Sequence, residues 1–178
     1  MSEMLIEDGD LKLRRADLND LNYILKLQAD PENSLFIVSF DRDFHQNAVD
    51  GKAPGKTSII IEQDGERCGY FLLDKYDQVS YYIWHMIIDN AHKGRGIGRR
   101  ALRLLKRWVF VVLNWHRLMI DSKDFNQRAI HLYTSEGFKR EALFREALLV
   151  NGQYQNLVVF AMLRQEYVDD NQYNINAN

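Results

Sequence analysis

Between Asn90 and Arg100 the chain reads Asn-Ala-His-Lys-Gly-Arg-Gly-Ile-Gly-Arg-Arg, with glycine at positions 94, 96 and 98. Glycines at alternate positions leave backbone N–H groups unshielded. The amphipathic helix predicted to follow, Ala101 to Asn114, adds its own unpaired N–H groups and the positive end of its dipole. Together these form an anion cradle. Lys93, Arg95, Arg99 and Arg100 place mobile positive charge around it, which suits a polyphosphate better than a lone carboxylate. Further on, Asn126 and Tyr133 fall at i and i+7 and so share one face of a second predicted helix.

The charge distribution supports the cradle. From Asn90 to Ile120 there is no Asp or Glu, while eight of the 23 basic residues lie there, leaving 15 against all 25 acids elsewhere. The formal net charge of −2 therefore hides two opposed regions. A basic stretch can also serve nucleic acid, but the acidic remainder and the lack of interleaved exposed aromatics argue against it. Between Asp30 and Asp50 the acids Asp30, Glu32, Asp41, Asp43 and Asp50 face only Arg42, a patch that would attract a cationic substrate. Cys68 has no second thiol to pair with, and the five histidines lack the short spacings of metal ligands, so neither a disulfide nor a metal site is expected. With no membrane span and no signal-peptide pattern, a cytoplasmic protein is expected.

These groups need elements to hold them. At 178 residues, 46% hydrophobic and with two prolines, the chain suits one buried core, with a domain over 1–167 and a polar, frayed tail over 168–178. Leu11 to Arg15 reads as a strand, and Asp17 caps a helix running to about Gln28, which Asp30-Pro31 terminates. Asp41 to Val49 is a shorter helix. Thr57 to Gln63 and Arg67 to Leu73 are strands joined by Asp64-Gly65, and Val79 to Ile88 leads straight into the glycine loop. In the following helix Ala101, Leu104, Leu105, Trp108 and Val112 face the core, while Arg99, Arg103, Lys106 and Arg107 fall away from it. Leu118 to Ile120 is a short buried strand, Asp121 to Phe125 a polar loop, and Asn126 caps a helix that stops at Gly137. Phe138 to Val150 and Gln155 to Leu163 are the last strands, turning at Asn151-Gly152. The fold expected is α/β or α+β, a single twisted, mixed but mostly antiparallel sheet flanked by helices, with its parallel portion around the glycine loop. Exposed edges of such a sheet can mediate a homodimer, although no interface is fixed by the sequence.

The loop lacks the Gly-Lys-Ser/Thr ending of a P-loop, because Arg99 and Arg100 follow Gly98. As a dinucleotide fingerprint starting at Gly96 and Gly98 it would need a third glycine where Ala101 stands. Lys93-Gly94-Arg95-Gly96-Ile97-Gly98 instead resembles the Gln/Arg-x-x-Gly-x-Gly/Ala pyrophosphate loop of the GNAT superfamily of N-acetyltransferases, departing by Lys in the first position. Asn126, Ala129, Tyr133, Gly137 and Phe138 resemble the superfamily's second signature. Arg145-Glu146 through Asn151-Gly152-Gln153-Tyr154 to Glu166-Tyr167 resembles the C-terminal half of spermidine acetyltransferases and ribosomal-protein acetyltransferases, so that the likeness spans Leu11 to Tyr167.

The resemblance implies a GNAT-like fold and acetyl-CoA as donor. The backbone of Met86, Ile87 and Ile88 would pair with the pantetheine arm. Lys93, Gly94, Arg95, Gly96, Ile97, Gly98 and Arg99 would hold the pyrophosphate, with Asn126 contacting the cofactor further along. Tyr133 would be the general acid, since a phenol with a pKa near about 10 can protonate a departing thiolate. The acceptor would be a primary amine, of a polyamine or a peptide, attacking the thioester directly. Spermidine acetyltransferases carry a glutamate in the strand before the loop, and here that position is Ile83. Simple alternation puts His85 on the same strand face as Ile83, where it could serve as base, or water could relay the proton to a Glu or Asp elsewhere. Two other readings stand beside this one: a CoA-binding protein of the same fold without turnover, and a nucleic-acid-binding module.

Overall fold

The computed structural model describes residues 3–168, so Val168 is the only part of the expected tail within the described residues. Eight strands form one sheet in the order β1-β2-β3-β4-β5-β6-β8-β7. They are β1 (Met4–Asp8), β2 (Leu11–Arg15), β3 (Lys56–Gln63), β4 (Glu66–Lys75), β5 (Ser80–Ile88), β6 (Arg117–Lys123), β7 (Lys139–Val150) and β8 (Gln153–Leu163). Only β5 and β6 pair in parallel, and they flank the glycine loop as the sequence predicts; the other neighbours are antiparallel. The turns Asp64-Gly65 and Asn151-Gly152 have positive φ at both residues, the backbone that a two-residue hairpin requires. β1 forms in a stretch whose sequence carries no strand pattern, its side chains half-buried or exposed.

Five helices cover the two faces: α1 (Leu21–Ala29), α2 (Pro31–Ser34), α3 (Arg42–Val49), α4 (Ile97–Arg107) and α5 (Gln127–Ser135). Alternation along the strands sorts their side chains between two cores. Ile59, Ile61, Phe71, Leu73, Ile83 and Ile120 face α4 and α5, while Ile60, Tyr70, Leu72 and Ile87 face Ile24 and Leu27 of α1 and Phe44 of α3. Asp17 caps the entry to α1 through a short 3-10 turn, accepting from Asn19 N at 2.8 Å, and α1 ends one residue before Asp30-Pro31. Pro31 then opens α2, because proline is favoured in the first helical turn.

Four expectations need correction. α4 starts at Ile97 rather than Ala101, so Gly98, Arg99 and Arg100 belong to its first turn, and it passes into a π-turn over Trp108–Val112. That widened turn rotates Val112 out to solvent, whereas Trp108 stays buried as expected. Lys106 does not fall away from the core: it is buried and its Nζ donates to Glu136 O at 2.8 Å and Glu136 Oε2 at 3.1 Å. Asp121 to Lys123 is strand, since β8 pairs with β6 as far as Lys123↔Leu157.

Candidate functional site

β5 and β6 pair from Ser80↔Arg117 to Ile83↔Ile120 and then part. β5 remains tied to β4 up to Gly69↔Ile88 and β6 to β8 up to Lys123↔Leu157, so Trp84–Ile88 and Asp121–Lys123 become the two arms of a splay. A bulge starts the divergence. Leu72 opposes His85 and Leu73 opposes Ile83, leaving Trp84 as the extra residue in β5. On the splayed side the backbone groups of Met86, Ile87 and Ile88 have no strand partner, and an extended chain laid there could take up their hydrogen bonds.

A cleft of about 280 Å³ occupies the splay. Its walls include Ile83, Trp84, Met86, Ile87 and Ile88 from β5, and Ile120, Asp121 and Ser122 from β6. Asn126, Arg128, Ala129, Leu132 and Tyr133 close one side, and Lys93 and Gly98 bring the glycine loop to one end. Of the expected site residues, Met86, Ile87, Ile88, Lys93, Gly98, Asn126 and Tyr133 therefore line a single cavity, while Gly94, Arg95, Gly96, Ile97 and Arg99 continue the loop and first helical turn outside its lining, and His85 lies apart from it.

The loop has the backbone of an anion cradle. Gly94 and Gly96 have φ of +79° and +75°, a region that a side chain strains to enter. Gly96 is the N-cap of α4, and the N–H groups of Ile97, Gly98 and Arg99 have no preceding helical carbonyl to bond. A Cβ on Gly98 would already touch Ile88 Cγ1 at 3.4 Å and Met86 Cε at 3.5 Å, so glycine keeps the passage from helix end to strand arm clear. These features fit the phosphates and the extended arm of a CoA-type donor. The cationic side chains are less mobile than the sequence suggests. Lys93 Nζ is held by Asn33 Oδ1 at 3.0 Å and Glu32 Oε1 at 3.1 Å, Arg99 by Glu136 at 2.5 Å, and Arg100 by Asp10, whereas Arg95 is exposed.

Asn126 caps α5, its Oδ1 accepting from Ala129 N at 3.2 Å, and this fixes where the helix begins. Two turns on, Tyr133 is buried against Phe138 and Phe160, and burial pushes its phenol above the usual range, so that it carries its proton at neutral pH. Asp121 lines the same cleft and accepts from the Tyr82 hydroxyl; burial raises its carboxyl, and the tyrosine bond partly offsets this.

His85 stands elsewhere. The bulge at Trp84 reverses the alternation, so His85 faces the α1 and α3 side while Ile83 packs under α4 and α5, and the expected shared face does not exist. The ring is 2% exposed. Val38 O, an acceptor 2.8 Å from Nε2, requires the proton there, and Nδ1 then accepts from the Tyr70 hydroxyl at 2.7 Å. Burial lowers its pKa to about 4. The acidic stretch is also largely committed. Asp30 caps α2 and accepts from Asn90 Nδ2 at 2.9 Å, Glu32 meets Lys93, Asp41 caps α3 and Asp50 pairs with Lys52 at 3.1 Å. Sequence reasoning missed Tyr82, Trp84 and Asp121. No sequence signal marks them: Ser122, which continues the buried alternation of Leu118 and Ile120, is polar.

Among the described residues no group of three or more His, Cys, Asp or Glu could hold a metal ion. No helix among them is long and apolar enough to cross a membrane. The profile of the Acetyltransferase (GNAT) family matches residues 21–138. Spermidine N(1)-acetyltransferase of Escherichia coli (strain K12) is 26% identical over 171 residues, covering 89% of this chain and 88% of that protein. L-amino acid N-acetyltransferase AaaT of the same strain is 24% identical over 165 residues, covering 88% of this chain and 99% of that protein. Among solved structures, the spermidine N-acetyltransferase from Vibrio cholerae in complex with CoA and spermine superposes with a TM-score of 0.78 at 22% identity, covering 90% of this chain and 99% of that one. The dodecameric structure of the Vibrio cholerae enzyme also gives 0.78, at 22% identity over 91% of this chain and 98% of the other.

Proposed function

The chain belongs to the acetyltransferase (GNAT) family, and on that premise we propose that it transfers the acetyl group of acetyl-CoA to the nitrogen of a primary amine, by direct attack and with Tyr133 as general acid. The observation that carries the reading is the convergence of an anion cradle, an unpaired strand arm and a buried phenol on one cleft. The first-turn N–H groups of α4 and the Gly94–Gly96 backbone bind the pyrophosphate. Met86, Ile87 and Ile88 hold the pantetheine as an added strand, which delivers the thioester to the mouth of the splay beside Tyr133. The tetrahedral intermediate collapses with cleavage of the C–S bond, and the Tyr133 phenol supplies the proton that the thiolate needs. No covalent intermediate on the protein is required.

The acceptor is a cation in this reading. Asp121 and Glu32 are the carboxylates of the cleft, and Trp84 offers an aromatic face at its edge. The polyamine acceptors of the spermidine acetyltransferase relatives support a polyamine, and a peptide α-amino group is the second candidate. We also propose self-association, because Leu143, Phe144, Leu149 and Tyr154 are exposed together on the β7–β8 hairpin; light scattering checks it.

The test couples calorimetry with thiol release. Acetyl-CoA should bind the purified protein, and at least one of spermidine, putrescine, an amino acid or a peptide with a free N-terminus should release CoA thiol. No binding removes the cradle assignment. Binding with silence across the panel leaves a CoA-binding protein and removes the enzyme.

A further inference from the structure

An amine reaches the cleft mostly as its ammonium ion and must shed a proton before its nitrogen can attack, yet the β5 position expected to carry a carboxylate is Ile83. Asp121 stands one residue past Ile120, the last β6 residue paired with β5. Alternation buries Leu118 and Ile120 toward α4 and α5 and turns Asp121 to the opposite face. There the Tyr82 hydroxyl, from the neighbouring strand, donates to Oδ2, while Oδ1 takes no hydrogen bond from the described residues. The carboxylate opens on the cleft that Trp84 and Tyr133 share. The Trp84 and Tyr82 ring centroids lie 5.3 Å apart and those of Tyr82 and Tyr76 5.7 Å, a row of electron-rich rings that already holds the Lys56 ammonium 5.4 Å from the Trp84 centroid and is of the kind that attracts an ammonium group.

We propose that Asp121, oriented by Tyr82, is the proton acceptor of the reaction, moved one strand over from the position that Ile83 occupies. The proposal rests on the acetyl-transfer reading. The ammonium gives one proton to the Asp121 carboxylate, and the freed nitrogen lone pair forms the C–N bond at the thioester carbonyl. The C–S bond breaks as Tyr133 protonates the sulfur, the remaining excess proton on nitrogen returns to the Tyr133 oxygen, and Asp121 releases its proton to solvent. The products are the amide, CoA thiol and one proton. A partly buried carboxylate whose pKa burial raises is a stronger base than a fully solvated one. The other ionisable groups around the cleft are Tyr82 on β5, Tyr133 and Arg128 on α5, Glu32 on α2 and Lys93 in the loop, with Lys123 further along the same face of β6 donating to Leu35 O at 2.6 Å.

Thiol release with spermidine, and with a short peptide bearing a free α-amino group, is measured from pH 5 to 10 for the unmodified protein, Asp121→Asn and Tyr82→Phe. At neutral pH Asp121→Asn should lower kcat/KM by about 10²- to 10³-fold. The deficit should shrink by about tenfold or more toward pH 10, where free amine becomes abundant without a base. Acetyl-CoA affinity by calorimetry should stay within about twofold, since the cradle lies on α4. The thermal midpoint should hold or rise, because the amide removes a buried charge. Tyr82→Phe should cost about 3- to 30-fold and move the acidic limb of the profile to higher pH, the direction expected when a carboxylate loses a donor. A neutral-pH rate for Asp121→Asn within about threefold of the unmodified protein, or a deficit equally large at neutral pH and at pH 10, overturns the proposal. If Asp121→Asn does not fold, an unshifted acidic limb in Tyr82→Phe overturns it instead. Acetyl-CoA binding without transfer to any amine in the unmodified protein removes the acetyl-transfer reading itself, and the assignment of Asp121 with it.

Discussion

Tyr133 and His85 show how far a residue type can be trusted without its surroundings. Tyr133 is 6% exposed, yet it opens on the cleft, and burial keeps its phenol protonated, the state that the proposed general-acid role requires. Tyr133→Phe should therefore lower kcat by about 10²-fold while acetyl-CoA affinity is unchanged, because the ring that packs on Phe138 and Phe160 is retained. Single-turnover thiol release and calorimetry read the two quantities separately, and an equal loss in both would make the hydroxyl a binding group. Tyr133 and Asn126 were legible because helical periodicity survives into the structure. His85 was not, because one extra residue at Trp84 reverses the parity of the strand, and nothing in the string Ile83-Trp84-His85 announces a bulge. Asp121 was hidden for a related reason. A carboxylate after three apolar residues reads as the start of a loop until β8 is known to pair alongside it.

At the scale of elements, the glycine loop works because a strand end and a helix start are fixed on either side of it. α4 is anchored from beneath by Glu136, a buried carboxylate just beyond α5 that receives Arg99 at 2.5 Å, Arg103 at 2.9 Å and Lys106 at 3.1 Å. This cluster ties the cradle helix to the helix carrying Tyr133. It also explains why a basic stretch that reads as a solvated helix face is partly internal: the sequence shows the cations but not the anion they share, 30 or more residues away. The separation of duties predicts the outcome at Gly98. A side chain larger than alanine must enter the space between Ile88 and Met86, so Gly98→Leu should weaken acetyl-CoA binding about tenfold or more while far-ultraviolet circular dichroism is unchanged. Retained affinity would mean that the donor does not pass from the α4 terminus to the β5 arm. The hairpins at Asp64-Gly65 and Asn151-Gly152 were readable because their turn chemistry is local, whereas nothing local in the sequence marks the π-turn over Trp108–Val112.

Across the whole molecule the sheet order could be read only at its hairpins and at the parallel pair around the glycine loop, since placing β8 between β6 and β7 is decided by which faces bury best. The same two-faced burial sets how stability responds to pH. On the α1 and α3 side, His45 is 0% exposed with neither ring nitrogen hydrogen-bonded, packed edge-on against Phe40, Phe44 and Tyr70, and His85 lies in the same cluster. Burial lowers both pKa values from 6.5 to about 4. Between those values the unfolded chain binds two protons that the folded protein refuses, so the folded state loses stability as pH falls from about 6.5 toward 4. The salt-bridged carboxylates Asp10, Asp20 and Glu136 are held below their usual range, and their contribution is lost only in more acid solution. Asp121 works in the opposite direction, since its raised pKa means that the folded state accepts a proton first. Urea unfolding at pH 7.5 and pH 5 should therefore show a lower midpoint at pH 5. His45→Phe should keep the midpoint at pH 7.5 and remove about half of the difference, because the imidazole makes no hydrogen bond that phenylalanine would forfeit. A difference unchanged by His45→Phe would place the acid sensitivity in His85 or the carboxylates instead, and His45 would then be a packing group without a titration of its own in this range.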